Sequence, residues 1–322
     1  MRNVKLSDWL GYILLRVLIC VVQSQTLSTL DRVSRLLAVV LAHWLPLRKK
    51  VIDENLRKAY GDLPPEQCAR LREAMWHHLL LMVCEIAIAP RKIHRTNWRE
   101  YVYMPDKDLL MKYLMDPRPT ILVTGHYGNF ELAGYLTALL GAPTYTIARP
   151  LDNPLANEYL DRFRSSAGQH ILPKDGSSQA VQDLLAAGNT LALLADQHAG
   201  RKGCWVDFFG HPTSCHKALA LFVLSARAPM AVTYARRLNQ PLRFEIGCTG
   251  VADPSDADTA SESHFESVQA LTIWYNQKLE AAIRKAPEQY WWLHRRWREA
   301  PTMKKKEGKS KSSTAARCQS AA

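Results

Sequence analysis

From about residue 119 the chain falls into short apolar runs alternating with helical patterns, and no other feature constrains its fold as strongly. Strands are predicted at residues 120–123, 144–147, 190–195, 230–235 and 243–247. Helices are predicted at residues 130–140, 154–166, 177–187, 217–226 and 264–285. A strand followed by a helix, repeated, is the pattern of a parallel sheet covered on both faces. The expected fold is therefore α/β, with a largely parallel central sheet flanked by helices.

The first hundred residues read as helical. Pro64 and Pro65 mark a helix start, and Leu71, Met75, Leu79, Met82, Val83 and Ile86 recur behind them at helical spacing. Nearer the N-terminus, residues 9–22 are apolar apart from Arg16, with Leu10, Ile13, Leu14, Val17, Leu18, Val21 and Val22 on one stripe. This run is shorter than the roughly 20 residues needed to cross a hydrocarbon core. No small-residue cleavage site follows it, so no cleaved signal peptide is expected. A second apolar helix, residues 36–47, leads into Arg48, Lys49 and Lys50. Two apolar helices with basic flanks suit a protein seated on an anionic leaflet; a stripe alone also suits helices packed on the protein's own core. The predicted division is membrane-associated helices over 1–50, an α/β domain over 51–300 and a basic disordered tail over 301–322.

A formal net charge of +12 points to anionic partners: nucleic acid, an acidic protein or a phospholipid surface. Seven cysteines, odd in number and without a CxxC pair, form no disulfide framework and suit a reducing compartment. His198, Cys204, His211, Cys215 and His216 are close in sequence, but their spacings match no zinc motif, so no metal is expected.

The segment "ILVTGHYGNFELAGYL", residues 121–136, carries the chemistry. In open α/β sheets, ligands gather where strands end. His126 stands at such a place between Gly125 and Gly128, Asn129 is a sound helix cap, and Glu131 falls in the first helical turn, where the helix dipole favours negative charge. A carboxylate on one imidazole nitrogen fixes the tautomer and leaves the other nitrogen free to take a proton. Spacing alone leaves two readings open: a catalytic His126–Glu131 pair, or a turn histidine satisfied by backbone. No GxSxG elbow, Walker loop or GxGxxG fingerprint accompanies it, so a nucleophile would come from the substrate.

"GHYGNFE", followed in order by "ARPLDNP", "LLADQHAGRKG", "VDFFGHP" and "APEQYWWLHRRW", with "VIDENLRKAYGDL" before them, resembles the lipid A biosynthesis acyltransferase family, the bacterial lauroyl and myristoyl transferases. The resemblance covers about residues 5–300. It implies a glycerolipid acyltransferase-like fold and transfer of an acyl chain from acyl carrier protein to a hydroxyl of a phosphorylated lipid A precursor. The place implied is the cytoplasmic face of the inner membrane, on anionic phospholipid and without metal or cofactor. It makes His126 the base and Glu131 its orienting partner. Arg149 would hold phosphate or steady the thioester, and Asp196 and Gln197 would orient Arg149 or the acceptor. Gly203, Phe208, Phe209 and Gly210 would line the acyl or acceptor site. In the C-terminal block, tryptophans interleave with Arg295 and Arg296, a mixture suited to a headgroup interface and to nucleic acid. The apolar N-terminal helices and the lack of any nucleic-acid motif favour the membrane and the lipid substrate. Two other functions stay in play: acylation of another glycolipid or lysophospholipid, with acyl-coenzyme A as an alternative donor, and lipid binding without catalysis.

Overall fold

The run TILVT forms β2 (Thr120–Thr124), and its first four residues are buried. Side chains buried on both faces belong in the middle of a covered sheet, and β2 lies there. In the computed structural model, which describes residues 4–298 apart from 46, 174–175 and 257–262, seven strands form one sheet. They are β1 (Val102–Tyr103), β2, β3 (Thr144–Ala148), β4 (Gln169–Pro173), β5 (Thr190–Leu194), β8 (Met230–Arg237) and β9 (Phe244–Ala252). Their order is β1-β9-β8-β2-β5-β3-β4. Every neighbouring pair is parallel except β8 with β9, which are antiparallel.

The helices are α1 (Leu6–Ser24), α2 (Leu27–Val39), α3 (Lys49–Tyr60), α4 (Pro65–Lys92), α5 (Lys107–Leu114), α6 (Phe130–Leu139), α7 (Pro154–Ser165), α8 (Ser177–Ala186), α9 (Lys217–Ala226) and α10 (Val268–Lys285). One core cluster joins Ile121, Val123 and Val232 of the sheet to Met75 of α4 and to Leu271, Tyr275 and Ile283 of α10. A second lies around Leu132, Tyr135 and Leu136 of α6 with Leu81 and Ile88 of α4.

The expected fold class holds, and several details differ. The two edge strands, β1 and β4, and helix α5 lie outside the predicted elements; β1 has only two residues and β4 is partly exposed, so their apolar patterns are weak. The segment expected to be a loop around Phe208 is an antiparallel hairpin, β6 (Cys204–Phe208) and β7 (His211–Cys215). Its two turn residues, Phe209 and Gly210, have φ of 51° and 72°, the left-handed pair that a tight two-residue hairpin requires. Finally, α1 has 19 residues, long and apolar enough to cross a membrane, whereas the apolar run had suggested a shorter element.

None of α1 is buried, and Leu10, Ile13, Leu14, Val17 and Val21 are exposed. Polar contacts nevertheless hold it to the body. The Asn153 amide donates to the Asp8 carbonyl at 2.8 Å, and Gln23 donates to the Ala87 carbonyl at 2.7 Å. The predicted tail, 301–322, lies outside the described residues.

Candidate active site

The loop from β2 to α6 carries His126, and strand register decides what meets it. β2 and β5 run parallel with Thr124 opposite Leu194. Two residues further along each chain, His126 and Asp196 therefore come together at the same sheet edge. The His126 backbone N–H donates to Asp196 Oδ2 at 2.7 Å, and Nδ1 lies 2.7 Å from Oδ1. Gly125 eases this approach, because a Cβ there would stand 3.1 Å from Asp196 Oδ2, a tight contact.

Asp196 is fully buried in its side chain. Burial pushes its carboxyl up, but the charge and hydrogen bonds of His126, with Arg296 behind them, hold it well below the usual carboxylate range. An ionised carboxylate only accepts hydrogen bonds, so Nδ1 carries a proton, and in the neutral imidazole the lone pair sits on Nε2. The Gln197 side-chain nitrogen lies 3.2 Å from that Nε2 and 3.4 Å from Nε2 of His294. The rings of Phe130, Trp291 and His294 pack edge-on around the imidazole. Burial, followed by the charge of His126, holds His294 below the ordinary histidine range. His294 and Trp291 were legible only as parts of the C-terminal block.

Glu131 is placed differently from its expected position. Both its oxygens take donors from Arg164 of α7, at 2.7 and 3.0 Å, and among the described residues none of its hydrogen bonds goes to His126. The reason is geometric: α6 leads Glu131 toward α7, while the neighbouring strand brings Asp196 to the imidazole. Glu131→Ala removes both hydrogen bonds from a mostly buried guanidinium and leaves it only Asp161, 3.8 Å away, which should cost about 1–3 kcal/mol. Urea unfolding measured beside initial rates checks this. An activity loss as large as that of His126→Ala, with stability unchanged, would return Glu131 to the reacting centre.

Beneath the loop lies a buried polar network. Arg237 of β8 grips Glu85 of α4 with two hydrogen bonds, 2.6 and 2.7 Å, and its third nitrogen reaches Nδ1 of His78 at 2.9 Å. Arginine only donates, so Nδ1 accepts and His78 Nε2–H points to the Gly128 carbonyl at 3.2 Å. Asn129 donates to Glu85 at 3.1 Å and, through its own side-chain oxygen, caps α6. Gly128 is pressed so close to β8 that a Cβ would collide with the Ala235 carbonyl, and its φ of +62° favours glycine as well.

Burial, then the charge of Arg237, hold His78 well below the ordinary histidine range. The unfolded chain therefore binds this proton first, and stability should fall as pH drops below about 6.5, by up to about 1.4 kcal/mol per pH unit. His294 adds a slope of the same sign. Urea midpoints measured from neutral to mildly acid pH should show a shallower slope in His78→Gln. A slope identical to that of the native protein would count against His78.

The remaining predicted residues divide between an open cavity and the core. Arg149 is exposed and pairs with Asp152 at 3.3 Å, with no bond to Asp196. With Gln197 it lines a cavity of about 760 Å³ whose other walls include Ile147, Leu193, Leu219 and Phe222. Phe208 and Phe209 pack in the main core, and Phe209 meets Tyr60 and Trp292; neither lines that cavity, because the hairpin turns them inward. Gly210 shapes the hairpin turn, and Gly203 lies against Ser214 and the Cys215 carbonyl, where a Cβ would collide. Arg296, expected at a headgroup, is instead 1% exposed. It binds the Gln197 and Ser214 carbonyls and Asn276, so it braces the strand ends behind Asp196. Arg295 is exposed. Among the described residues no group of three or more His, Cys, Asp or Glu side chains could hold a metal ion.

The chain is 26% identical over 207 residues to a lipid A biosynthesis palmitoleoyltransferase of Escherichia coli, a match covering 63% of each chain. It is 26% identical over 196 residues to a phosphatidylinositol mannoside acyltransferase of Mycolicibacterium smegmatis, covering 60% of this chain and 61% of the relative. A lipid A biosynthesis lauroyltransferase of Escherichia coli matches at 22% identity over 91% of this chain and 92% of its own. Among solved structures, a 1-acyl-sn-glycerophosphate acyltransferase of Thermotoga maritima aligns over 81% of this chain and 99% of its own, with a TM-score of 0.39 and 10% identity. The family model for bacterial lipid A biosynthesis acyltransferases matches residues 2–299, and the chain belongs to that family.

Proposed function

We propose that this protein moves a fatty acyl chain from a carrier-protein thioester to a hydroxyl of a lipid A-type glycolipid, with His126 as base and Asp196 as the residue that orients it. One observation carries the reading: an imidazole whose Nδ1 is fixed on a buried carboxylate while Nε2 meets the Gln197 amide, a residue that together with Arg149, Ile147, Leu193 and Phe222 lines the neighbouring cavity. The acceptor hydroxyl loses its proton to Nε2 as its oxygen attacks the thioester carbonyl. The new C–O bond forms, the C–S bond breaks, and the departing sulfur takes the proton back from the imidazolium. A thioester is already activated, so alignment and support of the developing oxyanion are the main demands. The Gln197 amide and the Arg149 guanidinium are the donors proposed for the oxyanion. In this scheme Glu131 and Arg164 tie α6 to α7 and so hold the loop's far end.

The exposed apolar face of α1, together with Trp44, Leu45 and Leu47, would seat the protein on a membrane where such an acceptor resides. The similarity to a phosphatidylinositol mannoside acyltransferase favours a second acceptor class, another anionic glycolipid. Purified protein offered acyl-carrier and acyl-coenzyme A donors with each acceptor class, and analysed by mass spectrometry, tests both. Ester formation on the lipid A-type acceptor is expected, and no product from any pair would sink the proposal.

A further inference from the structure

Five exposed cations converge beside the imidazole pair from two distant parts of the chain. Arg48, Lys49 and Lys50 come from the start of α3, and Arg295 and Arg298 from the C-terminal segment. With His294 they line an open groove of about 950 Å³. Arg48 fastens the two segments together by donating to the Leu293 carbonyl at 3.1 Å. None of the five forms an ion pair with a carboxylate among the described residues, although exposed cations elsewhere, such as Arg35 and Arg162, have one.

The local helix chemistry adds to the imbalance. A helix N-terminus carries positive partial charge and ordinarily attracts acids, yet the first turn of α3 holds two lysines, no acid and no side-chain cap. Cations crowded there repel one another and the helix end, and a bound anion relieves both repulsions. The groove also adjoins an apolar surface: Trp44, Leu45 and Leu47, 80%, 58% and 54% exposed, come directly before Arg48 in the chain. His294, which lines the groove beside the cations and Val51, lies with its ring 5.0 Å from that of His126.

We infer that this groove binds a phosphate group on the headgroup of the glycolipid acceptor and thereby sets which of its hydroxyls reaches His126. The inference rests on the glycolipid-acceptor reading. The adjoining apolar residues favour a ligand held at a lipid surface over one arriving from solution. Guanidinium and ammonium donors suit a phosphate ester, which offers several strong acceptor oxygens.

The test uses the full-length protein and phosphatidylcholine vesicles carrying a phosphorylated glucosamine-disaccharide lipid or its phosphatase-treated form. The native protein should sediment preferentially with the phosphorylated vesicles. Lys50→Ala/Arg298→Ala should weaken that binding about tenfold, or about 1.4 kcal/mol, and erase most of the preference. Lys50→Arg/Arg298→Lys should keep the preference, and an unchanged urea midpoint confirms that each variant folds. In turnover, the alanine variant should raise KM for the phosphorylated acceptor while the donor KM stays put. A preference surviving in the alanine variant overturns the proposal. A rise in the donor KM alone also overturns it, because the groove would then dock an acidic carrier protein. Displacement of the protein from the vesicles by inorganic phosphate at matching concentration would mark a site for free phosphate instead. Phosphate-dependent binding by a native protein that acylates none of the acceptors leaves the groove standing and removes the transferase reading.

Discussion

Asp196→Asn is expected to lower kcat by about 10³- to 10⁴-fold, the scale set when a buried carboxylate behind a catalytic histidine becomes an amide. The physical cause is the tautomer. Asn can present an N–H toward Nδ1, which moves the ring proton to Nε2, the nitrogen that has to receive one. The charge that would stabilise the imidazolium is lost as well. His126→Ala should cost at least as much. Initial rates of ester formation by purified variants provide the measurement, and a loss below tenfold in Asp196→Asn would remove Asp196 from the mechanism. A stability effect accompanies the kinetic one. Because the folded protein holds this carboxyl below its usual range, the link contributes stability above the unfolded value of about 3.9 and loses it as pH falls further. The Asn variant should lack that acid-side loss.

The second large effect concerns stability. Arg237→Met should destabilise the fold by about 3–5 kcal/mol, because it strands Glu85 as a buried charge. Glu85 is 1% exposed and its oxygens otherwise reach only Asn129 and the Leu242 N–H among the described residues. Arg237→Met/Glu85→Leu removes both charges and should recover at least half of the loss, since an apolar replacement of a buried pair is often neutral. Urea unfolding of the three proteins reads this directly, and a single variant costing under 1 kcal/mol would show the pair to be dispensable. Variants that still fold should also turn over more slowly, since Gly128 and Asn129 hang from the same network.

Much of this architecture was legible in the chain. The central strands are buried on both faces, so their apolar runs announce them. β1 and β4 at the sheet edges and the β6–β7 hairpin escaped because their buried runs are short and, in the hairpin, Asp207, His211 and Pro212 interrupt the apolar pattern. His126 was legible because glycines and a helix cap frame it. The fate of Glu131 was not, because five residues of separation say nothing about Arg164, which lies 33 residues further along. Arg295 and Arg296 are adjacent and identical in type, yet one faces the groove and the other is buried, and only tertiary packing separates them. The groove itself joins segments 245 residues apart, as the Arg48 contact to Leu293 shows.

The pairing of Thr124 with Leu194 has a consequence for how freely this chain can change length. His126 and Asp196 are separated by an excursion through α6, β3, α7, β4 and α8, but their meeting is set by the ladder between β2 and β5. Insertions at the tips of that excursion, such as the turn at Gly141, leave the ladder and the reacting pair where they are. A single residue added between Leu194 and Asp196 would send the carboxylate to the opposite face of the sheet. Homologues compared by spacing alone would hide the site, whereas comparison by strand partner would reveal it.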